Sequence, residues 1–321
     1  MSTYTNQQVL GLLRDATEAA ARAASEQIGR GLAEAADGAA TDAMLELLAE
    51  LPFAATVVVG RGGQNEVAKL YEGQIVGDPQ SDLQFDFAVD PGEGTTYLAE
   101  GLTNAMTVAA LAPRGAMFVP TPALYMEKFA APPAARREIN PAWAVEKKLT
   151  VLSKVLGKEV HQLTIFVQEK PRHRALIEQI REIGADVTSF PAGDVAGALL
   201  SALPNSGIDA LMGTGGVREG IISACAARAL GAVFQARLDP QLQSEQAAVR
   251  EADLDVSRWY SAEELVASTD TFFCATGITS GLLLQGVERL EDRDRVQTLM
   301  IAGSTGESQI LTTWRRFAAE A

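Results

Sequence analysis

At 321 residues, 47% of them apolar, with ordinary glycine and proline usage, the chain is a folded globular protein, long enough for two domains or one large layered domain. A formal net charge of −14 argues against nucleic acid and against an anionic membrane surface as partners. It leaves room for an anionic small substrate, because a bound metal ion inverts the local field. Two cysteines, Cys225 and Cys274, lie in apolar surroundings and fit core thiols in a reducing compartment. The opening Met1-Ser2-Thr3-Tyr4-Thr5 lacks the basic-then-apolar plan of a signal peptide, and no apolar run approaches a membrane span. A soluble, cytoplasmic protein with no membrane partner is expected.

In chain order, Val9, Leu10, Leu12, Leu13, Ala16, Ala19 and Ala20 recur at helical spacing and predict an amphipathic helix over 6–29, broken at Gly29-Arg30-Gly31. A second, alanine-rich helix is expected from about Ala35 through Leu48, with Asp37 in its first part. Ala54–Gly60 reads as a buried strand ending in the turn Gly60-Arg61-Gly62-Gly63-Gln64-Asn65-Glu66. The next strand, from Phe85, delivers Asp90 to its end, where Pro91-Gly92-Glu93-Gly94 reads as a turn followed by the hydroxyls of Thr95 and Thr96. Met106–Ala112 and Ala116–Val119 are expected as antiparallel partners across Pro113-Arg114-Gly115. Residues 129–145 read as a loop and a domain boundary, dividing the chain into 1–145 and 146–321. Beyond it, strands at Leu163–Gln168, Asp186–Phe190 and Ile208–Met212 alternate with helices at Ala175–Ile183, from Asp194 and from Glu219. That alternation predicts an α/β unit with a parallel or mixed sheet. Gln243–Arg250 reads as a polar mobile loop, and Thr271–Thr276 and Gln297–Ala302 as late strands.

Few stretches carry chemistry by spacing alone. Asp90 and Glu93 in a tight turn either share one hard cation or serve as turn acids capping the next helix, and spacing weighs the two evenly. Asp37 is a poor helix-interior residue among small neighbours, either on a solvated face or in a close-packed place where an acid needs a partner. Gly213-Thr214-Gly215-Gly216-Val217-Arg218-Glu219 follows a strand and opens a helix. Arg218 stands where a dinucleotide fingerprint needs glycine, so the reading is a phosphate-cradling turn, with Glu219 equally explained by the helix dipole. Lys170-Pro171-Arg172-His173 is a compact basic group, either a solvated turn or a phosphate contact. His161 and His173 are expected at the surface, too few and too far apart for a zinc site.

Taken in order, Gly29-Arg30-Gly31, Ala35-Ala36-Asp37-Gly38-Ala39-Ala40, Ala88-Val89-Asp90-Pro91-Gly92-Glu93-Gly94-Thr95, Tyr125-Met126-Glu127-Lys128, Lys170-Pro171-Arg172-His173, Gly193-Asp194-Val195-Ala196, Gly215-Gly216-Val217-Arg218-Glu219-Gly220 and Ala275-Thr276-Gly277-Ile278-Thr279-Ser280-Gly281 resemble the class II fructose-1,6-bisphosphatases. Those are relatives of the metal-dependent sugar-phosphatase and inositol-monophosphatase superfamily. The resemblance implies a layered αβαβα fold with mixed sheets, a phosphorylated sugar as substrate, Mg²⁺ or Mn²⁺ as cofactor, and a homodimer or homotetramer. It implies Asp37, Asp90, Glu93 and Glu219 as metal ligands and Thr95, Asp37 and Asn65 as catalytic residues. It implies substrate contacts from Glu93, Gly94, Thr95, Tyr125, Lys170, Arg172, Asp194 and Gly216; beside these, Thr96 is a further substrate candidate, and Arg61 one that would bind an anionic group in place of a cation.

The sequence also departs from that family. A metal-binding glutamate of the family's Gly-Glu-Gly-Glu-x-Asp-Glu turn is Arg61 here, and an aspartate implicated in catalysis is Asn65. Ala33, Ala192 and Thr96 replace a lysine, an aspartate and an arginine. A guanidinium in place of a carboxylate removes a ligand and fixes a positive charge where a cation would sit. Three readings follow: a sugar phosphatase with an altered second-metal site, a member repurposed for other phosphosugar chemistry in a specialised pathway, or an inactive phosphosugar-binding or regulatory protein. The retained acids favour the first.

Overall fold

The structure, a computed structural model, describes residues 4–66 and 68–317; the side chains of Thr95 and Thr96 lie outside the described set. By its contacts the chain forms two compact units, Met1–Gly115 with Asp270–Ala321, and Ala116–Thr269.

The first unit opens with α1 (Asn6–Ser25). A capping box at its start has Thr5 accepting from the Gln8 N–H and Gln8 accepting from the Thr5 N–H. There follow α2 (Ala33–Leu48), β1 (Ala54–Val59), β2 (Ile75–Gly77), β3 (Gln84–Glu93), α3 (Thr95–Ala99) and β4 (Met106–Pro113). The second unit holds β5 (Tyr125–Ala131), α4 (Val145–Leu156), β6 (Thr164–Gln168), α5 (Arg174–Ile183), β7 (Asp186–Phe190), α6 (Asp194–Ala202), β8 (Ala210–Gly216), α7 (Val217–Leu230), β9 (Val233–Leu238), α8 (Gln243–Glu251), β10 (Trp259–Ser261) and α9 (Ala262–Leu265). The chain then returns to the first unit with β11 (Phe272–Gly277), β12 (Glu288–Arg289), β13 (Arg293–Ala302) and β14 (Glu307–Arg316).

Among the described residues the first sheet runs β12-β13-β11-β4-β3-β1-β2, with β14 paired to β13; the second runs β10-β9-β5-β8-β6-β7. Both are mixed. β1–β3, β6–β7 and β6–β8 are parallel, and the remaining pairs antiparallel. Alternation along β3 sets the first core: Phe85, Phe87 and Val89 join Leu13, Ala16, Ala20, Met44 and Phe53 in one buried cluster. Phe53 packs edge-on to Phe85 at 4.9 Å between ring centroids, where an aromatic pair adds specificity to its buried area. Asp86, Ala88 and Asp90 form the opposite row of the same strand. In the second unit, Ile165 and Val167 of β6 share a core with Leu149, Leu152 and Ile180 of α4 and α5. Phe166 points the other way and lies on Gly197 of α6, where a Cβ would overlap its ring. Helices therefore cover both faces of the second sheet.

Several local expectations are corrected. Ala116–Val119 is no strand: Met117 makes an isolated bridge to Val266, and Pro120 and Pro122, just beyond, have no N–H for a ladder. Phe129–Ala131 belongs to β5, so the connecting loop begins at Pro132. Gly213–Gly216 lies in β8 rather than in a turn, paired to Tyr125–Lys128. Gln243–Arg250 is α8, anchored by the buried Glu245. β11 hydrogen-bonds along β4 and carries the C-terminal strands back into the first sheet.

Candidate functional site

In the first unit, β1 and β3 run parallel, and their carboxyl ends present the acids. Asp90 opposes Val108 and Glu93 opposes Met106, so three steps on β3 match two on β4, and one residue is bulged out. In a regular strand, positions three apart face opposite sides. The bulge removes that opposition, and a carboxylate oxygen of Asp90 lies within 4.8 Å of one of Glu93. Asp90 Oδ1 also accepts the Gly92 N–H at 2.9 Å, which fixes the bulged segment from within. The strand thus continues through Pro91 and Gly92, where a turn was expected. The turn comes at Gly94, which needs its positive φ of 81° to open α3. The side chains of Thr95 and Thr96, expected at the catalytic and substrate positions, lie outside the described residues.

Asp37 and Arg61 meet in the same unit: Arg61 Nη2 donates to Asp37 Oδ2, each side chain about a quarter exposed. Arg61 leaves the end of β1 with its own N–H bonded to Leu70 O at 2.9 Å. Gly60 permits this, since a Cβ there would overlap Leu70 O. Asn65 is exposed farther along the same loop.

In the second unit, Lys128 on β5 and Asp194 at the start of α6 form an ion pair with side chains 1% and 6% exposed. Glu219 stands in the first turn of α7. Burial, reinforced by the charge of Asp194 and offset by Lys128, holds the Glu219 carboxyl above the usual carboxylate range. The glycines of β8 make room for these groups. A Cβ on Gly215 would overlap Asp194 Oδ2 and lie 3.0 Å from Lys128 Nζ, and one on Gly216 would overlap Glu219 Oε2. The glycine run expected to cradle phosphate thus lets two carboxylates lie against the backbone.

Arg172 spends Nε and Nη2 on Thr214 O, at 3.0 and 2.8 Å, with its guanidinium 5.3 Å from the Tyr125 ring centroid. Tyr125 is placed from behind by Glu245, which accepts the N–H groups of Leu124 and Tyr125 at 2.6 and 2.8 Å. Lys170 is half-buried and lines a groove of about 610 Å³ with Arg174 and Ser189.

His173, expected at the surface, is buried. Its Nδ1–H donates to Gln168 O at 2.7 Å and its Nε2 accepts the Thr214 N–H at 2.8 Å, an arrangement that requires the neutral ring. Burial pushes its pKa below the ordinary value. Below pH ~6.5 the unfolded chain takes up a proton that the folded chain does not, so His173 makes stability fall as pH drops through that value toward the folded pKa. In His161→Gln, the remaining imidazole resonance is expected to keep its neutral shift at pH 6; a midpoint at or above 6.5 would contradict the assignment.

Lys128 and Gly215 are the site residues that spacing does not reveal. The available signal is a lysine inside an apolar stretch, Met126 to Ala131, where only a paired charge is tolerated.

A profile of the family described as bacterial fructose-1,6-bisphosphatase, glpX-encoded, matches residues 7–315. A D-fructose 1,6-bisphosphatase class 2/sedoheptulose 1,7-bisphosphatase from Synechococcus sp. (strain JA-2-3B'a(2-13)) is 36% identical over 329 positions, covering 95% of this chain and 94% of its own. The enzyme of the same description from Thermosynechococcus vestitus is 36% identical over 335 positions, covering 96% of each. A solved inositol monophosphatase from Anabaena (Nostoc) sp. PCC 7120 aligns over 62% of this chain and 73% of its own at 18% identity and a TM-score of 0.33, a likeness too low to carry an argument. With a profile match over nearly its whole length and a third of its residues shared with two such enzymes, the chain belongs to the bacterial, glpX-encoded fructose-1,6-bisphosphatase family of phosphoric monoester hydrolases.

Proposed function

We propose that this protein is a divalent-metal-dependent phosphatase that releases phosphate from a sugar bisphosphate of the fructose-1,6- or sedoheptulose-1,7-bisphosphate class. The observation that carries the reading is the Asp90–Glu93 pair. Two carboxylate oxygens within 4.8 Å, one residue half-buried and the other buried, are the donor set of a hard cation, Mg²⁺ or Mn²⁺. Two carboxylates this close repel each other, and a cation between them would relieve that repulsion. Glu219, in the second unit, is carried from the resemblance as a further candidate ligand. Once bound, the cation offsets the charge of the transferring phosphoryl group.

The chain's own groups do the rest. Thr95 orients the attacking water, and Asn65, exposed on its loop, assists as a hydrogen-bonding neighbour. The α3 turn from Gly94 to Thr96 brings backbone close to the substrate, and Gly216 is a further substrate candidate. Asp194, held by Lys128, accepts from a sugar hydroxyl. Tyr125 offers the sugar an aromatic wall, while Lys170 and Arg172 face its distal phosphate. The acidic balance of the chain is met locally by this basic group.

We place the protein in the cytoplasm, in carbohydrate metabolism and gluconeogenesis, as a homodimer or homotetramer. The support is kinship, two buried thiols and the lack, among the described residues, of any helix long and apolar enough to cross a membrane.

Phosphate release from a panel of sugar mono- and bisphosphates tests the reading. The expected result is Mg²⁺- or Mn²⁺-dependent turnover on a bisphosphate, abolished by chelator and reduced at least 10²-fold in Asp90→Asn. Activity untouched by chelator, or an Asp90→Asn variant as active as the native chain, would sink it.

A further inference from the structure

The Asp37–Arg61 pair does not fit a second cation. Asp37 is the acid to which kinship assigns a metal, yet its Oδ2 is taken by a guanidinium. Three observations make that occupation a built feature. The Arg61 N–H is bonded to Leu70 O, Gly62 bridges Tyr71, and the Glu72 N–H is bonded to Gly62 O at 2.9 Å, so the loop is pinned on the strand side and the far side of Arg61. Gly60 lacks the Cβ that would push Leu70 away. Arginine cannot shed its proton to make way for an ion, and its planar fork suits a carboxylate. Among the described residues, Asp37 also belongs to no group of three acidic, histidine or cysteine side chains close enough to hold an ion.

Two cations about 3.5–4 Å apart need anionic ligands between them. A cation bound at Asp37 would instead stand against a fixed positive charge and compete with it for the same oxygen. We propose that the Arg61 guanidinium carries, at Asp37, the positive charge a second cation would supply, so that each chain takes one divalent ion, at Asp90 and Glu93, and none at Asp37. This rests on the phosphatase reading above for the first ion.

Titration of chelator-stripped, full-length protein with Mn²⁺ alone, followed by calorimetry and by the Mn²⁺ electron paramagnetic resonance spectrum, tests the stoichiometry. The native chain is expected to bind one Mn²⁺ with an uncoupled six-line signal, and Arg61→Glu two, with line broadening from a neighbouring ion. Arg61→Gln, which removes the charge without adding a ligand, guards against an Arg61→Glu chain that fails to fold; it is expected to gain a weaker second site, with native binding at the first. Two ions per native chain, or one ion in both folded variants, overturns the inference while leaving the phosphatase reading standing. No Mn²⁺ in the native chain overturns both. Asp90→Asn is expected to lose the native ion; retention there would place that ion elsewhere and overturn the assignment.

Discussion

Lys128→Met is expected to cost about 3–5 kcal/mol of folding stability and to abolish phosphate release. The lysine is an almost fully buried cation on a central strand, and its ammonium is bonded to the equally buried Asp194. Removing one member of such a pair leaves the other charge without compensation in a low-dielectric surround, which costs far more than the pair contributes. Here the loss spreads, because Lys128 also offsets the charge on Glu219, whose carboxyl burial and Asp194 already hold toward the protonated form. Met fills a similar volume, so the loss is electrostatic rather than a cavity. Urea denaturation of Lys128→Met beside Lys69→Met makes the comparison. Lys69 pairs with Asp42 in a bridge whose side chains are 49% and 60% exposed, and such surface pairs contribute ~0–1 kcal/mol. Equal losses in the two variants would show that the buried pair has no special standing. The double variant Lys128→Met/Asp194→Leu is expected to regain part of the stability and none of the activity, because the orphaned charge goes but the carboxylate assigned to the substrate goes with it.

The same lysine marks where the sequence stops being legible. Much of the β6–α7 stretch is readable, because β6 and the start of β8 are short apolar runs and α5 carries an apolar stripe, so local periodicity there matches the fold. β5 is not, since Glu127 and Lys128 interrupt its pattern; only the partner, 66 residues away at Asp194, explains why a lysine is tolerated inside. α8 looks like a loop because its residues are polar, and what holds it is Glu245 accepting backbone N–H groups from residues 124 and 125. β14 is almost wholly exposed, and its pairing with β13 owes nothing to a buried row of its own. The return of β11 and β13 to the first sheet is a long-range event with no local signal.

At the site, the acids are legible and their arrangement is not. The Asp90 to Glu93 spacing suggests a shared ligand, but a strand bulge brings their oxygens near each other where a tight turn was read. The sequence names Arg61 as a cation in the loop after β1, whereas its hold on Asp37 depends on how Gly60 and Leu70 approach. Sequence spacing names residue types; close backbone approaches decide which of them meet.

Gly215→Ala tests that last point at the smallest possible scale. Gly215 lies in β8 with no positive φ to forbid a side chain, so an alanine strains nothing in the backbone itself. Its methyl would nonetheless occupy the place of Asp194 Oδ2 and press on Lys128 Nζ at 3.0 Å. Neither group can swing into solvent, because both are buried and each is the other's partner. Overpacking of this kind costs about 1–3 kcal/mol. The displaced carboxylate is the one assigned to the sugar, and misplacement of a positioning group by about 1 Å can lower turnover about 10²-fold. Gly38→Ala is the matched control: it sits within α2, nothing lies within 4 Å of its added Cβ, and the change is expected to stabilise by about 0.4–1 kcal/mol. One methyl group thus has opposite signs at the two positions, read by thermal unfolding and by phosphate release. If Gly215→Ala proves as stable and active as the native chain, Asp194 does not lie against β8 as described, and the carboxylate must bind its sugar from elsewhere.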